Sequence, residues 1–233
     1  MNVVITGASK GIGKAIAINF AAMGANLFLC ARNEIGLYNT VAELQQKYPA
    51  CTVNAKIADM SKKEDAKNFG EWILDRTKQI DILVNNAGQF IPGSIYNEAE
   101  GLLEQMININ LYSAYHLTRT LLPSMIAANR GHIFNLCSIA SLQAYSNGGS
   151  YSISKFALLG FSKNLREELK PHHIKVTAVY PGAVMTESWG DFDNSNQRIM
   201  EASDIAAMII AASKLSAQAV VEDIIIRPQL GDL

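Results

Sequence analysis

Between residues 135 and 160 the chain reads NLCSIASLQAYSNGGSYSISKFALLG, and three side chains in it have types that chemistry uses: Ser138, Tyr151 and Lys155. On a helix, a tyrosine and a lysine four positions apart project from one face. A free phenol has a pKa near 10, so making its anion accessible at neutral pH takes about three units, or roughly 4 kcal/mol. A neighbouring ammonium favours the phenolate and lowers that pKa. A phenol tuned in this way gives a proton to a carbonyl oxygen as hydride reaches the carbon, and takes it back in the reverse direction. Ser138 follows the apolar run HIFNLC. It is therefore expected at the carboxyl end of a strand, where its hydroxyl would hold the same oxygen in line. A Tyr–Lys pair at this spacing is also common on plain helix surfaces, so the pair alone leaves both readings open.

The elements that must position these residues follow from hydrophobic period. VVIT, NLFLC, CTVNAKI, IDILVNN, GHIFNLCS, IKVTAVYP and AVVEDIIIRP read as about seven strands, and helix-period segments long enough for crossovers lie between them. Strands that are apolar throughout and joined by helices imply a parallel sheet covered on both faces. The expected fold is α/β, a doubly wound (Rossmann) sheet in three α/β/α layers, in one domain over 1–233. The polar stretch at 186–202 follows a strand's carboxyl end, where open α/β sheets bind ligands; it reads equally as a substrate flap and as an unstructured surface loop.

Where the first strand meets the first helix the sequence is TGASKGIGKAIA, with Gly7, Gly11 and Gly13. Glycines there allow a tight turn and let main-chain N–H groups and the helix N-terminus approach a pyrophosphate. A phosphate-loop nucleotidase is the nearest rival, but its first glycine falls on Ala8 and its Ser/Thr on Ala15, which removes the magnesium-binding hydroxyl. After the second strand comes Arg32, where a positive charge would neutralise a ribose 2′-phosphate, and Lys10 in the turn adds a second. NADPH is thereby favoured over NADH. Glu34 would accept from a 2′-OH if the chain turned differently.

With 20 basic and 21 acidic residues and a net charge of −1, the chain has no electrostatic basis for a nucleic-acid or anionic-membrane surface. The run IAAMIIAA at 205–212 is far short of the ~20 residues that span a bilayer. VVITG reads as the first strand rather than a secretory segment, and Cys30, Cys51 and Cys137 read as reduced core thiols, so the expected compartment is the cytoplasm. His116, His132, His172 and His173 lack metal-ligand spacing, so no metal is expected and surface roles are the default.

TGASKGIG, NNAG at 85–88, the asparagine in NINLYSAY, Ser138, the Tyr151-x-x-x-Lys155 spacing and PG at 181–182 occur in one order along nearly the whole chain. In this the sequence resembles the short-chain dehydrogenase/reductase family. The resemblance implies that Asn110 holds a water linking Lys155 to solvent, completing a relay with Ser138 and Tyr151. It also implies that Gly7, Ser9, Lys10, Gly11, Ile12 and Gly13 hold the cofactor's phosphates and that Lys155 bonds the nicotinamide ribose. Asp59 and Met60 would lie by the adenine, Asn86, Ala87 and Gly88 by its ribose, and Pro181, Gly182, Val184 and Thr186 over the carboxamide. Pairing through helices near 104–128 and 151–169 implies a homodimer or homotetramer.

Within the family, PGAVMTESWG and the ending VVEDIIIRPQLGDL look more like bacterial sepiapterin reductases than oxoacyl-thioester reductases. That likeness implies Trp189 stacked on a flat pterin and Asp232 at its guanidine-like edge. A hydrophobic anchor for Trp189 and a solvated terminal charge for Asp232 are the alternatives. A 3-oxoacyl-thioester reductase, or a non-catalytic NADPH-binding sensor that needs no relay, are the competing functions.

Overall fold

The computed structural model describes residues 1–232, apart from the side chain at position 188. In chain order the strands are β1 (Asn2–Thr6), β2 (Asn26–Ala31), β3 (Thr52–Ile57), β4 (Ile82–Asn85), β5 (Gly131–Leu136), β6 (Ile174–Pro181), β7 (Val184–Met185), β8 (Met200–Glu201) and β9 (Asp223–Ile226). The helices are α1 (Gly11–Ala22), α2 (Glu34–Lys47), α3 (Lys63–Leu74), α4 (Leu102–Ile107), α5 (Ser113–Ala128), α6 (Gly149–Leu169) and α7 (Ala202–Ser213).

Seven strands form one parallel sheet in the order β3-β2-β1-β4-β5-β6-β9. Alternate residues of a strand face opposite sides, and here both sides are apolar. Val3, Ile5, Leu27 and Leu29 join one core with Ile16, Phe20, Ile205 and Ile209 of α1 and α7. Val4, Phe28 and Cys30 join the other with Phe69, Ile73, Leu117 and Leu165 of α3, α5 and α6. Two buried faces explain why the strands read as unbroken apolar runs, and give the three layers.

The chain leaves β1 toward β2 on one side, while β4 pairs with β1 on the other. This reversal opens a crevice at the strands' carboxyl ends. The glycine turn, the 85–88 segment, Ser138 and Gly182 all follow strands at that edge.

All seven expected strands form. Helix α2 begins at Glu34, earlier than its apolar period suggests, because Asn33 accepts a 2.6 Å hydrogen bond from Gly36 N and caps it. The helix expected from Glu104 to Ala128 is interrupted by a π-helical turn, Asn108–Tyr112. The 186–202 segment is structured: β7 and β8 pair in parallel at its base, Val184 with Met200 and Met185 with Glu201.

His132 departs from the expected surface role. It is buried in β5, its ring stacked on Phe134 at 3.9 Å and its Nε2 2.7 Å from Thr177 Oγ1. The Thr177 hydroxyl donates its one proton to Val221 O, so His132 must carry its proton on Nε2. Burial pushes this imidazole down to about 3.

Candidate active site

Ser138 caps a single 3₁₀ turn just beyond β5, its Oγ accepting from Ala140 N at 3.2 Å. On α6, Tyr151 and Lys155 share the face that turns toward it, and the Ser138 hydroxyl stands near enough to the Tyr151 phenol to favour its anion. Lys155 is 6% exposed; its Nζ donates to Leu136 O at 2.7 Å and lies 5.8 Å from the Tyr151 ring centroid. The three residues that the spacing singled out therefore meet at one point.

The acidity expected of Tyr151 is reversed among the protein's own groups. Burial dominates and pushes the phenol up to about 12, with the nearby Ser138 hydroxyl pulling the other way. Burial also pulls Lys155 down to about 8. A phenol in this state is a protonated donor at neutral pH, as an acid in carbonyl reduction needs to be.

Asn110 is buried in the π-helical turn, a kind of irregularity frequent at functional sites. Its Nδ2 donates to Gln89 O at 3.0 Å and Ser154 Oγ at 2.9 Å, and its Oδ1 accepts from Gln89 N at 2.8 Å. The side chain thus ties α6 to the segment after β4. At Gly88 a Cβ would stand 2.9 Å from Asn110 Oδ1 and 3.6 Å from Lys155 Nζ, so only glycine lets that segment pass beside both.

Several residues that build this site lie outside the motifs, or, like Asn85 at the head of NNAG, do a part of the work the motif does not reveal. Asn85 Nδ2 donates to Asn135 Oδ1 and to Thr118 Oγ1, and Asn135 Nδ2 to Ser162 Oγ, a buried polar ladder across β4, β5, α5 and α6. Glu98 accepts from Ser150 N at 3.2 Å and from the Ser150 hydroxyl, holding the first turn of α6. Phe90 sets its ring edge-on to Tyr151 at 4.8 Å. The one sequence signal was asparagine inside otherwise apolar strands, in ILVN and IFNL.

At the other end of the crevice, α1 starts after Lys10, whose side chain makes no cap, and the first turn holds no acid. Its N-terminal amides suit a phosphate. A Cβ on Gly13 would sit 2.3 Å from Gly7 O, so the turn closes only with glycine there. Asn86 Nδ2 donates to Thr6 O and Gly7 O, while the Asn86 and Ala87 amides donate to Thr6 Oγ1. Asn86 and Ala87 thus brace the turn. A cleft of about 520 Å³ runs between Gly11 and the flap residues Met185, Thr186, Glu187, Gly190 and Asp191.

Lys10 and Arg32 are both exposed beside this turn, where Ser9 nears Gly36 of α2. Glu34 lies in the first turn of α2, where a carboxylate complements the helix dipole. Lys14, the lysine that superficially suggested a phosphate loop, is paired with Glu43 at 2.7 Å. The donor set fits a 2′-phosphorylated dinucleotide. Asp59 Oδ1 accepts from Ser61 N and Oγ, turning the chain after β3, and Met60 is buried beside it.

Trp189 and Asp232 are engaged by the protein itself. Trp189 Nε1 donates to Val184 O at 2.9 Å and its ring meets Phe192 at 5.2 Å, the geometry of an anchor. Asp232 is ion-paired with Arg227 and is not a solvated terminal charge; one of its oxygens comes within 2.7 Å of where a Cβ on Gly182 would be. Arg198 of the flap donates to the main-chain oxygens of Gly231 and Asp232, so the tail and flap are joined.

Crevice, glycine turn and Ser–Tyr–Lys cluster define a dinucleotide-binding α/β oxidoreductase. The family model described as short chain dehydrogenase matches residues 1–197, and the chain belongs to that family. It is 34% identical over 239 residues to sepiapterin reductase of Chlorobaculum tepidum, covering 99% of this chain and 97% of the relative. Among solved structures, an alcohol dehydrogenase from Thermococcus sibiricus complexed with 5-hydroxy-NADP superposes with a TM-score of 0.91 at 28% identity, covering 98% of this chain and 96% of the other. L-sorbose reductase from Gluconobacter frateurii, complexed with NADPH and L-sorbose, gives 0.88 at 26%, covering 97% and 94%.

Proposed function

We propose that this protein is an NADPH-dependent reductase of a ketone on a small, flat, conjugated molecule, a pterin such as sepiapterin being the foremost candidate. The observation that carries the reading is the convergence of Ser138, the Tyr151 phenol and the buried Lys155 at the carboxyl end of β5. Arg32 and Lys10 favour the 2′-phosphorylated cofactor, in keeping with the NADP-type ligands of the solved relatives.

When bound, the dinucleotide supplies hydride to the carbonyl carbon. Tyr151 gives its phenolic proton to the carbonyl oxygen, and Ser138 holds that oxygen in line. The Lys155 ammonium, fixed by Leu136 O, stabilises the phenolate left behind and passes a proton back toward it. Asn110 keeps α6 and the Gln89 segment in register. Trp189 serves to close the flap and Asp232 to join the tail to Arg227.

The pterin reading is supported by the sepiapterin reductase likeness and by the aromatic mouth of the site, where the half-exposed Phe90 and Tyr145 stand by Tyr151. Self-association is supported by the exposed apolar side chains of Tyr112, Ile153 and Phe156 on the neighbouring π turn and α6.

The test follows NADPH oxidation across sepiapterin, oxoacyl thioesters, quinones and simple ketones, with Tyr151→Phe alongside. Turnover of sepiapterin that falls by about 10²–10⁴ in the variant, with NADPH binding retained, is expected. Fast turnover of an oxoacyl thioester with sepiapterin inert would replace the pterin assignment. No turnover of any carbonyl with NADPH still bound would favour a sensor.

A further inference from the structure

Away from the crevice, α3 presents Lys63 and Lys67, four apart, to α5, which presents His116, Arg119 and Thr120 on one face. Together they line a cleft of about 350 Å³. Gly70 brings the helices close: a Cβ there would stand 2.6 Å from Thr120 Cγ2. Glycine at 70 thus lets the Thr120 side chain of α5 pack directly against α3 beside the groove.

The charges in it are one-sided. Among the described residues, Lys63, Lys67 and Arg119 take part in none of the ion pairs, though six other basic residues do. Glu64 is the opposing charge nearby, and its pull on His116 is the weakest of the groups acting there. After burial, the charges of Lys63, Lys67 and Arg119 hold the His116 imidazole below its ordinary value. Arg119 is oriented from behind, its Nη1 donating to Tyr115 OH at 2.9 Å and its guanidinium 5.3 Å from that ring. The rest of its planar fork is left for an acceptor.

Three cations drawn into one concave site repel each other until an anion is placed among them. A phosphate group brings nearly two negative charges and three acceptor oxygens, which matches this donor set better than a single carboxylate does. We propose that the α3–α5 groove binds a small phosphate-bearing molecule through Lys63, Lys67 and Arg119, with His116 and Thr120 at its wall. None of these residues lines the cleft beside Gly11 or is among those assigned to the dinucleotide.

His116 is the reporter. Its imidazole resonances, assigned by their loss in His116→Gln, are followed by NMR as inorganic phosphate or O-phosphoserine is added at constant ionic strength, with and without saturating NADP⁺. Saturable shifts and a raised His116 titration midpoint are expected, weakened at least about tenfold when Lys67 and Arg119 are both changed to Gln. An unchanged thermal midpoint of that variant checks its folding. Tighter binding of O-phosphoserine identifies a monoester as the occupant, and equal binding identifies the free anion. Shifts reproduced by sodium chloride, or undiminished in the double variant, overturn the proposal whether or not the reductase assignment stands.

Discussion

Lys155 and Leu136 are joined by a 2.7 Å hydrogen bond from the side-chain nitrogen to the main-chain carbonyl. It ties the helix bearing Tyr151 to the end of the strand that leads to Ser138, and it holds an ammonium where water scarcely reaches.

That burial sets a stability cost with a definite pH course. The folded-state value of about 8 lies below the ordinary 10.5, so between those values the unfolded chain binds more protons and stability rises with pH. The cost is full below pH 8 and fades toward 10.5. Relative to Lys155→Met, the wild type should gain on the order of 2 kcal/mol between pH 7 and 9.5 in urea unfolding, while the variant loses turnover. A pH-independent difference would show that the lysine is not desolvated as described.

Arg32→Ala should weaken NADPH binding by about tenfold or more and NADH binding little, since a charge-assisted contact to the 2′-phosphate is lost. Fluorescence titration with each nucleotide checks this. Equal losses would mean that the phosphate is read elsewhere.

His132 predicts acid lability. Its folded value of about 3 lies below the ordinary 6.5, so as pH falls from 6.5 toward 3 the unfolded state gains the proton first and stability drops. The wild type should lose roughly 2–3 kcal/mol from this group by pH 4.5. His132→Gln should flatten that slope. A variant with the same pH-dependent thermal midpoints as wild type would contradict the assignment.

Glu98→Ala removes the carboxylate that holds Ser150 at the first turn of α6. About 1–2 kcal/mol of stability should be lost, as for a helix cap. Because Tyr151 is the next residue, kcat should fall more than NADPH affinity does. An unaltered kcat would show that the α6 start is held sufficiently by Asn110 and Ser154.

The sheet was legible because every strand is buried on both faces and therefore unbroken in the sequence, from VVIT to IKVTAVYP. Ser138, Tyr151 and Lys155 were legible because their spacing is fixed by one strand end and one helix face. What escaped depended on long-range contacts. Glu98 meets Ser150 fifty-two positions away, and Asn85 meets Asn135 across two strands; a lone polar residue does not announce its distant partner. The Tyr151 acidity was misjudged because a sequence shows a lysine four positions away but not the depth of burial, which is the largest influence on the phenol. His132 was assigned to the surface for the same reason, and the β7–β8 pair is too short to give any period.

The two-rung ladder of β7 and β8 clamps both ends of the 186–199 excursion at Met185 and Met200. The stretch between those rungs is fastened at both ends, so grafting another length or sequence between Thr186, which abuts the glycine turn, and Arg198, which holds the tail, should retune which molecules enter while leaving the proton-transfer machinery behind it undisturbed.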